Sequence, residues 1–250
     1  MVILDLSGAY DRQDFWKESL KEGDCLKKDL QDIEGTCYFC SDEALPVLRK
    51  AVSSLPLEDI HFIGSGDYHY LSLFFLERID EEFIMLQIDH HSDCRESAFG
   101  PELLSCGGWA ARAADTLPLM KQVWLAGPGN EDGMLPLLEE TAGFTCIPEE
   151  GLAAFAEDLV SQELPVYISV DKDILSPEYA QTGWSQGTLT DEGLVSLLEK
   201  VFQSCRVIGM DVCGEALADA AEEAVSLNNR MNRKLADIWK RFRASIGGIS

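Results

Sequence analysis

Positive charge is scarce in this sequence: 20 lysines and arginines stand against 44 aspartates and glutamates, a formal net charge of −24. A chain so acidic repels phosphate backbones, which excludes nucleic acid as an expected partner. Nowhere does the sequence approach the roughly 18 consecutive apolar residues of a membrane span, so no membrane partner is expected. The start, Met-Val-Ile-Leu-Asp-Leu, also lacks the basic lead of a secretory signal, and a cytoplasmic protein is expected. Repeats, low-complexity tracts and long linkers are missing too, so residues 1–250 are expected to form one domain. The eight cysteines are scattered, and Cys37-Tyr-Phe-Cys40 has no second CxxC to complete a zinc site. They read as free thiols of a reducing compartment.

What is present is a chain of 250 residues, 46% of them hydrophobic, long enough to bury a large core. Short β-rich runs occur at Val2–Leu6, Thr36–Cys40, Ile60–Gly64, Phe83–Ile88, Gln122–Ala126, Phe144–Ile147, Val166–Val170 and Arg206–Met210. Helical patterns alternate with them, among them Ser41–Ser54, Glu149–Ser161 and Asp191–Phe202. This alternation marks βαβ construction, and runs apolar throughout suit strands covered on both faces. The expected fold is α/β, a three-layer αβα arrangement around a mainly parallel sheet of about eight strands. Ser41 and Thr190 stand where N-caps stand, ahead of acidic residues. A last helix is expected from about Glu215 to about Arg243, acidic at its start and basic at its end as the macrodipole favours. Its basic cluster reads as a solvated face, with a partner surface as the alternative.

Histidine is rare, and three of the four residues, His69, His90 and His91, follow strand-like runs beside aspartates. Ligands of open α/β sheets gather at the carboxyl ends of strands, so polar residues placed there are site candidates. Three segments qualify: Gly64-Ser-Gly-Asp-Tyr-His69, Asp89-His-His-Ser-Asp93 and Asp171-Lys-Asp173. Side chains alternate along an extended chain, so Asp89, His91 and Asp93 share one side, as do Asp171 and Asp173. Four carboxylates in one cleft repel one another unless cations intervene. Carboxylate oxygens with a minority of imidazoles suit a hard or borderline divalent ion such as Mn2+.

At these residues the sequence resembles the ureohydrolase superfamily, the arginase and agmatinase family, with its GGDH-type turn, DAHxD-type strand end and SxDxD segment, here Ser169-Val-Asp171-Lys-Asp173. The Thr182–Thr190 stretch resembles the glycine-rich segment that follows that family's last metal motif. The resemblance implies two Mn2+ per chain, one held by His69, Asp89, Asp93 and Asp171, the other by Asp89, His91, Asp171 and Asp173. Asp89 and Asp171 would bridge. It implies attack of a bridging hydroxide, with Asp93 among the catalytic residues, on a small cationic guanidino or amidine substrate, releasing urea from a guanidino group. It also implies a homo-oligomer, a trimer or hexamer. His69 comes one residue late, after Tyr68. Where the family carries a histidine in an SHGTPF-like segment, this chain has Ser105-Cys106-Gly-Gly-Trp109. Cys106 would be either a proton-shuttling thiol or a small buried one. Glu215, in Asp211-Val-Cys-Gly-Glu215, stands one position away from the family's guanidinium-pairing glutamate and is either that residue or first-turn helix charge. Trp109, Trp184 and Tyr68 would wall a pocket for a flat cation, or pack. Two other functions stay open: a deacetylase-like zinc amide hydrolase, and a metal-binding family member that acts by binding or regulation.

Overall fold

The computed structural model describes residues 1–97, 100, 102–129 and 133–247. Its strands are β1 (Val2–Asp5), β2 (Leu26–Asp29), β3 (Phe39–Cys40), β4 (Ile60–Phe62), β5 (Phe83–Ile88), β6 (Leu104–Ser105), β7 (Met120–Gly127), β8 (Phe144–Pro148), β9 (Val166–Asp171) and β10 (Val207–Cys213). The helices are α1 (Lys17–Glu22), α2 (Ala44–Ser53), α3 (Leu71–Leu76), α4 (Trp109–Thr116), α5 (Leu135–Glu139), α6 (Leu152–Asp158), α7 (Asp191–Ser204) and α8 (Glu222–Gly247).

Eight strands form one sheet in the order β2-β1-β4-β10-β9-β5-β7-β8. Every pairing in it is parallel. All residues of β5, β9 and β10 are buried, which explains why these runs are apolar without alternation. Their side chains still divide by period two: Ile84, Leu86 and Ile88 join one core, Phe83 and Met85 the other. The first core packs against Leu194, Leu197, Leu198 and Val201 of α7 and Met231, Leu235 and Trp239 of α8. The second packs against α2, α3 and α4 through Leu48, Val52, Phe74, Phe75, Trp109 and Ala113. The result is the three-layer α/β/α fold expected of the sequence. Each large aliphatic or aromatic side chain so buried contributes about 2 kcal/mol.

Helix starts follow their caps. Thr190 Oγ1 accepts the Gly193 N–H at 3.0 Å at the head of α7, and Ser41 Oγ accepts the Ala44 N–H at 3.2 Å where α2 begins. Four of the six basic residues of α8 are paired with acids: Arg233 with Asp14, Lys234 with Asp191, Arg241 with Glu199, Arg243 with Glu58.

Beyond shifts of a few residues at other element ends, four features differ from expectation. β2, Leu-Lys-Lys-Asp, was missed because an edge strand that carries lysines has no apolar signature. Thr36–Cys40 is not a strand of the main sheet; Tyr38 is left-handed at φ 65°, and only Phe39 and Cys40 pair, antiparallel to β6. Glu149–Ser161 divides into a 3-10 turn, Glu149–Gly151, and the shorter α6. The last helix starts at Glu222 rather than near Glu215, because Gly214 takes φ 84° and Glu215 turns inward.

That inward turn builds a lock between the sheet and α8. Lys172, fully buried, donates to Glu215 and, at 2.9 Å, to Asn232 Oδ1. Glu215 also accepts from Gln13 Nε2 at 2.7 Å, Asn232 Nδ2 at 2.7 Å and Asn228 Nδ2 at 3.3 Å. A buried ion pair satisfied in this way is expensive to break from one side, since the remaining charge is stranded. Lys172→Met is therefore expected to destabilise the protein by about 4 kcal/mol, roughly 10 °C in Tm, and the double variant Lys172→Met/Glu215→Met to recover most of that loss in thermal unfolding.

Candidate metal centre

The strands β4, β10, β9 and β5 are neighbours, and the candidate residues leave from their carboxyl ends. After β4, Gly64 at φ 98° turns the chain into a 3-10 turn, Gly66–Tyr68, that delivers His69. The residue supernumerary to the GGDH pattern is absorbed in that turn. Asp89 and His91 follow β5, and Asp171 ends β9 with Asp173 just beyond it. Asp93 adopts the left-handed region at φ 50°, an unfavourable conformation for a residue with a Cβ.

The structure brings all six expected ligands together. His69 Nδ1 lies 2.8 Å from Asp93 Oδ2, 3.3 Å from Asp89 Oδ2 and 3.7 Å from Asp171 Oδ2. His91 Nδ1 lies 2.8 Å from Asp173 Oδ2 and 3.6 Å from Asp89 Oδ1. The two oxygens of Asp89 thus face the two histidines, one each. Asp171 sits with the His69 group; its Oδ1 accepts the Asp173 N–H at 2.9 Å.

The ring orientations are fixed from behind. His69 Nε2 meets Ser169 Oγ at 2.8 Å, and Ser169 and Ser72 both donate to Asp211 Oδ1, at 2.7 and 2.9 Å. His91 Nε2 meets Ser185 Oγ at 2.9 Å. Gln87 Nε2 donates to Asp89 Oδ2 at 2.9 Å. Such outer contacts orient metal ligands. Sequence reasoning missed Gln87 and Ser72 and gave Ser169 and Asp211 no role of their own, although a glutamine inside the apolar run Phe-Ile-Met-Leu-Gln-Ile is a readable signal. Cys213, one of the eight thiols read as free, ends β10 and donates to Asp171 Oδ2 at 3.1 Å.

Burial and mutual repulsion dominate the electrostatics. Burial, then the charge of Asp89, pushes Asp93 up to about 6. Burial raises Asp171 and Asp173 as well, with Asp89 adding to both and Asp171 adding to Asp173. Burial acts against charge on Asp89 too, but His69 and His91 outweigh it and hold that carboxyl well below the usual range. His91 is pushed up to about 11, its burial overcome by Asp173 and Asp89. The site is short of cations, and the donor set, four carboxylates and two imidazoles, fits a pair of hard or borderline divalent ions.

A pocket of about 230 Å³ opens onto this floor, walled by Trp184, Cys106, Gly107 and the exposed Arg95. Trp184 is held by an Nε1 hydrogen bond to Asp67 at 3.0 Å. Cys106 lines the pocket, but burial and the nearby Asp93 and Asp67 push its thiol up, so it stays protonated near neutral pH. Two expectations are corrected. Trp109 is no pocket wall: it is fully buried, its ring centroid 4.8 Å from that of His69 and its Nε1 donating to Asp93 Oδ2 at 2.7 Å, so it positions ligands. Glu215 does not face the pocket, because its carboxylate is consumed by Lys172, Gln13 and Asn232. Tyr68 packs into the second core.

Asp93, like Asp211, titrates at about 6 in the folded chain, above the ordinary carboxylate value. Between about pH 4 and 6 the folded state therefore holds more protons than the unfolded one at these groups, and their contribution to stability falls as pH rises. Burial holds the His61 imidazole down at about 4, which works in the opposite direction as pH falls. The Asp93 share is read by difference: saturating divalent ion is expected to raise Tm more at pH 7 than at pH 5 in thermal unfolding.

The model of the "Arginase family" matches residues 6–223. An uncharacterized protein of Thermotoga maritima is 30% identical over 213 residues, 85% of this chain and 78% of its own. Among solved structures, the agmatine ureohydrolase of Thermoplasma volcanium superposes with a TM-score of 0.65 at 16% identity, covering 98% of this chain and 91% of its own. The proclavaminate amidino hydrolase from Streptomyces clavuligerus gives 0.63 at 17%, covering 94% and 89%. The arginase from Medicago truncatula gives 0.64 at 15%, covering 94% and 85%.

Proposed function

The chain belongs to the arginase family, and from that premise we propose that it is a binuclear metal hydrolase that cleaves a non-peptide C–N bond of a small guanidino or amidine compound. The observation that carries this reading is Asp89, whose two carboxylate oxygens reach toward two histidines that each belong to a separate cluster of ligands. Two Mn2+ ions are the proposed cofactor, held by His69, Asp89, Asp93 and Asp171 on one side and by Asp89, His91, Asp171 and Asp173 on the other. When bound, such a pair supplies Lewis acidity and a water acidic enough to serve as nucleophile near neutral pH.

The remaining work falls to this chain's own side chains. Trp184 presents its ring at the pocket wall, where the face of a flat amidinium gains cation–π attraction. Trp109 holds Asp93 in its strained conformation, and Ser169 holds the His69 ring. Arg95 lines the same wall, and its positive charge there suits a substrate whose far end carries a carboxylate. Glu215 is committed to Lys172, so the cationic head has no partner in that residue.

Elemental analysis of protein loaded with Mn2+ is expected to find about two ions per chain. Asp89→Ala and Asp171→Ala are expected to lose the second ion and turnover together, and full activity in either variant would overturn the binuclear reading. Arg95→Ala is expected to raise KM about tenfold for carboxylate-bearing substrates while changing it little for those with an uncharged tail, a loss of about 1.4 kcal/mol. One observation favours a second reading, a metal-binding protein without hydrolase activity: the protonated Cys106 thiol stands where the family carries a histidine. Cys106→His separates the two, since a large gain in product release identifies a degraded enzyme.

A further inference from the structure

The neighbour of the His69 cluster that no ligand motif contains is Cys213. β10 and β9 run parallel with Cys213 in register with Asp171, so both side chains leave the same face of the sheet at its carboxyl edge. Both are buried, Cys213 completely. The sulfur lies 3.1 Å from Asp171 Oδ2, and the ligand atoms of His69, Asp171 and Cys213 all fall within 4.8 Å of one another.

The thiol donates to the carboxylate across that distance, and the same spacing fits two donors that share one ion. Donors held at about 2.1 Å for a carboxylate oxygen and about 2.3 Å for a thiolate sulfur stand roughly 3.1 Å apart when they subtend a right angle at the metal. The same reasoning admits the 2.8 Å between His69 Nδ1 and Asp93 Oδ2 and the 3.3 Å to Asp89 Oδ2. The surroundings leave room for the approach. A Cβ on Gly66 would come within 3.0 Å of Asp171 Oδ2, and one on Gly214 within 2.4 Å of Asp171 Oδ1, so bare backbone flanks this carboxylate on both sides.

We propose that Cys213 is a ligand of the first ion, its sulfur completing the donor set of His69, Asp89, Asp93 and Asp171. This rests on the binuclear reading above and deepens it. Binding displaces the thiol proton to solvent and forms a metal–sulfur bond; no electron is transferred. A thiolate donor shifts the preference of this position from Mn2+ toward softer ions such as Zn2+, Co2+ and Fe2+, while the all-oxygen-and-imidazole position beside His91 keeps its harder character.

Titration of the full chain with Co2+ tests the assignment, because thiolate ligation produces an intense near-ultraviolet charge-transfer band that oxygen and imidazole donors do not. The band is expected to grow with bound cobalt, to vanish in Cys213→Ser and to persist in Cys106→Ser. X-ray absorption on the cobalt-loaded wild-type protein asks the same question without a variant, and one sulfur per two metals is expected. Two bound Co2+ ions with no band and no sulfur scatterer would overturn the thiolate ligand while leaving the binuclear reading intact. A band that survives Cys213→Ser would overturn it as well. Failure to bind Co2+ at all would overturn both.

Discussion

Four buried carboxylates within a few ångströms of one another repel unless cations lie among them, and the architecture is organised around that condition. β9 and β10 return between β4 and β5, so four adjacent strands end at one edge and each delivers a part of the cluster. In the ion-free chain the His69 and His91 imidazoles stand in for the missing positive charge, which is why both are held protonated far above the ordinary histidine value. Divalent ions held at the proposed centre would replace those protons and relieve the repulsion that burial makes severe.

The candidate ligands are held by a layer of side chains that do not line the pocket. Gln87 holds Asp89, Trp109 holds Asp93, and Ser169 holds His69 and is itself tied to Asp211. Lys172, between two ligands in sequence, points the other way and anchors the strand end to α8 through Glu215 and Asn232. One turn of chain thus serves two purposes, with alternate side chains committed to opposite sides of the sheet. This commitment removes Glu215 from the pocket.

Much of this was legible in the sequence because it depends on local periodicity. The i, i+2 spacing of Asp89, His91 and Asp93, and of Asp171 and Asp173, forces convergence once the strands are recognised, and those strands were apolar enough to be seen. Thr190 was readable as a cap for the same local reason. β2 was not, since an edge strand with lysines carries no apolar stripe, and the segment around Cys37 misled because its aromatic residues imitate a strand while Tyr38 turns the chain. The start of α8 was misplaced because acidic residues suit both a helix head and a buried ion pair, and sequence alone does not choose between them.

By itself, then, the sequence determined the parallel α/β architecture and the convergence of Asp89, His91 and Asp93 and of Asp171 and Asp173, since alternation of short apolar runs and two-residue spacing are properties of the chain's own backbone. Tertiary structure decided everything that depends on which strand lies beside which. It set Cys213 against Asp171 through the register of β10 on β9, turned Trp109 from pocket wall to support for Asp93, and joined Glu215 to a lysine 43 residues away. Those assignments rest on contacts between segments distant in sequence, and distance along the chain carries no record of them.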